Sequence, residues 1–213
     1  MTPARALGAG LLLTGTAGFV DAIGFIALGG YYTSFMSGNT TQLGADIAAG
    51  AGLIIALPAA LIFLFFLGSF TGSLVAQSSQ NWGPALTLGL VALAVGATLL
   101  LRVLGVEPQF AMLPLALSAG AQNAVLQPIG AARLGATFVT GTLYAAGQDL
   151  ARAMVGAVPP WRWLQHLLVW AALCLGALVG AVSYAQWQSD ALVLPALGYV
   201  GIMLWFAIFK AKI

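Results

Sequence analysis

The chain has 213 residues, of which 61% are hydrophobic and only 6% charged, at a mean hydropathy of +1.01; soluble domains carry about 25% charged residues, so a water-solvated globule is excluded. A net charge of +2 is too small to point to nucleic acid, and a single cysteine, Cys174, excludes an intrachain disulfide. The length predicts one membrane domain over 1–213 with no appended soluble domain.

A spanning helix needs about 20 mainly apolar residues. The first apolar run, 9–30, follows Arg5 and resembles a signal peptide, but it continues through Phe25 and shares a pattern with a later helix, so it is expected to be a retained span. It carries Asp21. Segment 34–50 comes next, apolar but interrupted by Ser37, Gly38, Asn39, Thr40 and Asp46. Runs 52–77 and 84–104 follow, the first holding the pair Gly68/Gly72. Run 111–131 carries Gln122, Asn123 and Gln127, and segment 136–157 is again interrupted, by Thr140, Gly141, Thr142 and Asp149. Runs 163–186, with Gly176/Gly180, and 191–209 complete six spans.

The chain repeats itself. Phe35-Met36-Ser37-Gly38-Asn39-Thr40 returns as Phe138-Val139-Thr140-Gly141-Thr142-Leu143, and Asp46 returns as Asp149, 103 positions on. Asp21-Ala22 matches Asn123-Ala124 at offset 102, Gly68/Gly72 matches Gly176/Gly180 at 108, and Pro84-Ala85-Leu86 matches Pro195-Ala196-Leu197 at 111. The expected fold is an all-α integral membrane protein with repeat one over 9–105 and repeat two over 111–211. Each repeat has three transmembrane helices plus one re-entrant half-helix. Six spans place Arg5, Arg133, Arg152, Arg162, Lys210 and Lys212 inside and Arg102 alone outside, which sets both termini in the cytoplasm. Eight spans with parallel repeats give the same bias. The short, polar segment 34–50 suits a re-entrant turn better than a crossing, so inverted repeats are preferred.

The polar groups define the expected site. Ser37-Gly38-Asn39-Thr40 and Thr140-Gly141-Thr142 resemble N-cap signals; a half-helix starting within the membrane presents free N–H groups and a positive dipole end to a polar or anionic solute. Set against this is a capped loop with purely local hydroxyl bonds. Asp21 lies inside its span, where a carboxylate costs about 2.5–3.5 kcal/mol on the insertion scale, so a role as ligand or proton carrier outweighs an interhelical tie. Gln122 and Asn123 are weighed as ligands against interhelical hydrogen bonds. Asp149 is expected to pair with Arg152 at i+3. The glycine pairs read as helix packing, between repeats or in a homodimer, and His166, without ligand-spaced neighbours, as a packed or interfacial residue. No nucleophile–base pair or phosphate loop is visible, so an enzyme is disfavoured, and no cofactor or metal is expected.

Ala17-Gly18-Phe19-Val20-Asp21-Ala22-Ile23-Gly24-Phe25, followed by Met36-Ser37-Gly38-Asn39-Thr40, is similar to the opening signature of the YoaK-like family of bacterial membrane proteins. The second signature resembles Gly120-Ala121-Gln122-Asn123-Ala124 with Thr140-Gly141-Thr142-Leu143. Ser37 stands where threonine is expected in the family and keeps the hydroxyl. The resemblance covers nearly the whole chain. It implies a bacterial inner-membrane protein, catalogued as a domain of unknown function, and brings no catalytic residues with it. The function expected is a small-solute transporter or channel with a polar site between the repeats, its partners being a small polar or ionic solute and membrane lipid. The alternative is a non-transporting membrane scaffold or accessory subunit.

Overall fold

The computed structural model describes residues 4–125 and 139–209, and among these every regular element is helical. The helices are α1 (Ala4–Ala27), α2 (Met36–Ala48), α3 (Ala56–Gln77), α4 (Gly83–Val103), α5 (Pro108–Ala111), α6 (Leu113–Gln122), α7 (Val139–Met154), α8 (Arg162–Trp187) and α9 (Val193–Phe209). Short 3-10 turns, Gly52–Ile55 and Gln188–Leu192, lead into α3 and α9. Proline opens α4, α5 and α6, where its missing N–H would be unpaired in any case.

Among the described residues, four stretches are long and apolar enough to cross a membrane: Leu7–Ala27, Gly52–Gln77, Gly83–Val103 and Arg162–Ile208, the last containing both α8 and α9. Five of the six expected runs are therefore helical over their spanning length. Run 111–131 departs from expectation. Its helix α6 has 10 residues and stops at Gln122, about 15 Å at 1.5 Å per residue. Asn123 falls in the following turn, so Asn123 does not lie on a helix face that would continue to Gln127, a residue outside the described ones. Arg133, Lys210 and Lys212 also lie outside them. The polar segments form α2 and α7, of 13 and 16 residues; at roughly 20 and 24 Å both are shorter than a hydrocarbon core of about 30 Å.

The core sits where two pairs of helices pack closely, α1 along α8 and α6 along α3. Glycines make both contacts close. Gly176 of α8 lies on the carbonyl of Gly15 in α1, and Gly68 of α3 lies on the carbonyl of Leu117 in α6. A Cβ on Gly180 would come within 2.8 Å of Phe19 Cα, and one on Gly72 within 2.7 Å of Ala121 Cα. The residues of the two contacts correspond at the sequence offsets of 102 and 108. Gly15 meets Ala172 and Gly176, and Phe19, one turn on, meets Gly180, so α1 and α8 run parallel. The two glycine pairs are thus occupied by packing within the chain, of α8 on α1 and of α3 on α6. Around them α4 packs on α6 and α9, and the buried side chains Leu13, Ile23, Leu61, Leu88, Val91, Met112, Leu115, Tyr199 and Phe206 form one apolar cluster.

Candidate functional site

The chain leaves α1 through Gly29 and Gly30, whose φ angles of 67° and 109° suit a residue without a Cβ. It then doubles back. Thr33 and Ser34 return to the level of Asp21, six residues before the end of α1. Asp21 Oδ1 accepts three hydrogen bonds: from the Thr33 N–H at 2.9 Å, the Thr33 hydroxyl at 2.8 Å and the Ser34 N–H at 2.8 Å. Thr33 and Ser34 are buried and Asp21 is half-buried. The segment is fastened a second time by Asn39, 1% exposed, whose Oδ1 accepts from the Tyr32 N–H at 3.0 Å and whose Nδ2 donates to the Tyr32 carbonyl at 2.7 Å. One carboxylate and one carboxamide thus satisfy the backbone of a non-helical segment, the condition for such backbone inside a membrane.

This corrects the expected caps. The N-cap position of α2 is Phe35, with no side-chain cap bond. Ser37 and Thr40 lie inside the first turn and are exposed; Thr40 and Thr41 donate to the carbonyls of Met36 and Ser37, one turn back. Asp21 does not take over the capping role: it holds the N–H groups of Thr33 and Ser34, which precede Phe35 and the start of α2. Gly38 fits beneath the rings of Phe35 and Tyr32, where a Cβ would meet Phe35 Cδ1 at 2.6 Å.

Further along α2, Asp46 accepts from the Gln42 amide at 2.8 Å and the Tyr31 hydroxyl at 3.3 Å.

In the second copy, Gln122 is 2% exposed and joins three helices. Its Nε2 donates to the Leu13 carbonyl of α1 at 2.7 Å, and its Oε1 accepts from the Tyr199 hydroxyl of α9 at 2.7 Å. Asn123 donates to the Ala119 carbonyl at 3.2 Å. Thr140 and Gly141 are exposed in the first turn of α7, and Thr142 is buried. The buried face of α7 is Thr142, Ala146 and Asp149, matching the inward set Asn39, Leu43 and Asp46 of α2 at offset 103. Asp149 does not take Arg152, which is exposed. It turns to α8 and pairs with Arg162 Nε at 2.8 Å and His166 Nε2 at 3.2 Å. The next helix offers a buried face, whereas the i+3 partner on α7 points to the outside.

The structure therefore brings Asp21 and Asn39 to one segment, 31–35, and Gln122 to the crossing of α1, α6 and α9. The main packing partner of α2 is α3 and that of α7 is α8, so the two half-helices sit on different sides of the crossed core. Sequence reasoning missed Tyr32, Thr33, Tyr199 and Arg162. The signal for Thr33 was its hydroxyl beside the repeated motif; Tyr199 gave none.

The family profile described as "Protein of unknown function (DUF1275)" matches residues 9–205. The chain belongs to the DUF1275 family. It is 30% identical over 181 residues to the UPF0700 transmembrane protein RA0705 of Rhizobium meliloti (strain 1021), covering 85% of this chain and 77% of that one. It is 26% identical over 203 residues to the UPF0700 transmembrane protein YoaK of Bacillus subtilis (strain 168), covering 91% and 90%. The YoaK-like resemblance of the paired motifs thus holds across the chain, and this DUF1275 member is a transmembrane protein. No solved structure matches it.

Proposed function

We propose that this DUF1275 protein is a small-solute transporter or channel of the bacterial inner membrane, built from two inverted repeats, with both termini cytoplasmic and no catalytic chemistry. The observation that carries this reading is the re-entrant segment 31–35, held on Asp21 and continued by a half-helix whose Ser37 and Thr40 are exposed. Polar side chains and non-helical backbone are tolerated at membrane depth when they line a water-filled path or are covered by protein.

Inversion is supported by helix direction. Parallel repeats would make α4 and α9, the fourth helices of each copy, run the same way. Instead Gly89, early in α4, lies against Met203, late in α9, while the turn preceding α9 also touches α4. The solute class is small and polar or ionic, matched by hydroxyl groups and the starts of two half-helices.

A second reading, a membrane scaffold, draws on the inward hydrogen bonds of Asp21, Asn39 and Gln122, which hold the fold together by themselves. Osmotic swelling of proteoliposomes separates the two. Vesicles holding the purified protein are challenged with small neutral, cationic and anionic solutes. Entry of one class faster than into protein-free vesicles is expected; equal rates for every class would leave only the scaffold.

A further inference from the structure

We propose that Asp149, Arg162 and His166 form a proton-binding site that fastens half-helix α7 to α8 more tightly when His166 is protonated and loosens it as the proton leaves. The proposal stands apart from solute transport. All three side chains converge on one atom: Asp149 Oδ2 receives Arg162 Nε at 2.8 Å and His166 Nε2 at 3.2 Å. Asp149 and His166 are 3% and 6% exposed.

The repeat shows that the fold does not require cations here. At offset 108 the counterparts of Arg162 and His166 are Ile54 and Pro58, and Asp46 is held by the neutral groups of Gln42 and Tyr31. One half of the molecule therefore carries a cationic clasp that the other half does without.

With a neutral imidazole the clasp has no net charge, and its second bond needs the tautomer with hydrogen on Nε2. With an imidazolium both bonds are charge-assisted, roughly twice as strong as neutral ones. His166 is the only histidine in the chain, and histidine is the side chain that ordinarily changes charge between about pH 5 and pH 8. The other charged groups on the surrounding elements are few. Arg152 on α7 is exposed. Arg5 is the charged residue toward the start of α1, with its side chain outside the described ones. Asp190 lies in the turn at the far end of α8.

Full-length protein in lipid nanodiscs, with Cys174→Ser, tests the site. Ala146, buried one turn before Asp149, and Gly147, exposed with open space around it, are changed singly to cysteine. Maleimide labelling of Ala146→Cys is divided by that of Gly147→Cys, which cancels the titration of the thiol. The ratio is expected to rise severalfold from about pH 5.5 to about pH 8, across the range in which a histidine side chain ordinarily loses its charge. The imidazole NMR signal of the sole histidine should titrate with the same midpoint. His166→Gln and Asp149→Asn should each flatten the ratio. A flat ratio in the otherwise wild-type chain, an imidazole signal that does not titrate, or an unchanged pH dependence in His166→Gln would overturn the proposal.

Discussion

Gly176 of α8 rests on the carbonyl of Gly15 in α1, and the same contact recurs between Gly68 and Leu117 in the other half of the molecule. A side chain at either glycine would meet backbone, which cannot swing away. Gly176→Ala and Gly68→Ala are each expected to cost about 1–3 kcal/mol, the range for overpacking a filled core. Gly141→Ala and Gly147→Ala, where a Cβ meets open space, should change stability little. Thermal unfolding in detergent compares the four. Equal losses at all four sites would mean that α1 and α8, and α3 and α6, do not pack at these glycines.

Asp21 serves the fold through Oδ1, which accepts from the Thr33 N–H, the Thr33 hydroxyl and the Ser34 N–H. An asparagine can offer the same oxygen without the charge. Asp21→Asn should therefore keep near-normal thermal stability, while Asp21→Ala should lose about 1–3 kcal/mol by stranding buried donors. If Asp21 carries a coupling proton, Asp21→Asn abolishes the pH dependence of uptake. Uptake with unaltered pH dependence in a stable Asp21→Asn protein would assign the residue to structure alone.

Gln122 and Tyr199 are 77 residues apart and joined by a buried hydrogen bond of 2.7 Å. Tyr199→Phe removes one donor and should cost about 1 kcal/mol. Gln122→Leu leaves both the Leu13 carbonyl and the Tyr199 hydroxyl without their partner and should cost more. In the double variant the loss should be smaller than the sum of the two, by about 0.6 kcal/mol, the usual size of a membrane hydrogen bond. Strict additivity would show that the bond contributes nothing.

Much of this architecture was legible in the sequence because it rests on short-range pattern. Apolar runs mark α1, α3, α4, α8 and α9, and polar interruptions mark α2 and α7 as too short to cross. Offsets of 102 and 108 anticipate which glycines meet equivalent surfaces. The site was less legible because its bonds reach across the chain. The hydroxyls of the repeated motif resemble caps, but the long-range acceptor is Asp21, which holds the Thr33 and Ser34 N–H groups ahead of α2, 12 and 13 residues away. Asp149 had a plausible partner at i+3, yet the turn into α8 presents Arg162 and His166 to its buried side. Tyr199 sits in an apolar helix, and its polar end acquires meaning only when α9 packs beside Gln122.

Topology gives a further expectation. In a six-span molecule Ser79, in the turn between α3 and α4, shares the cytoplasmic side with the start of α1. Ser79→Cys in a Cys174→Ser background should be labelled by a membrane-impermeant reagent only from the cytoplasm. Labelling from outside would rule out the six-span arrangement.

The central claim is that the protein opens a route for small solutes and that the exposed start of each half-helix flanks that route. The direct measurement is flux through proteoliposomes before and after thiosulfonate modification of Ser37→Cys and of Thr140→Cys, both exposed positions at the starts of α2 and α7. Modification at either position is predicted to block flux, with Ser37→Cys reached from outside and Thr140→Cys from the cytoplasmic side. Complete modification at both positions with flux unchanged would contradict the account.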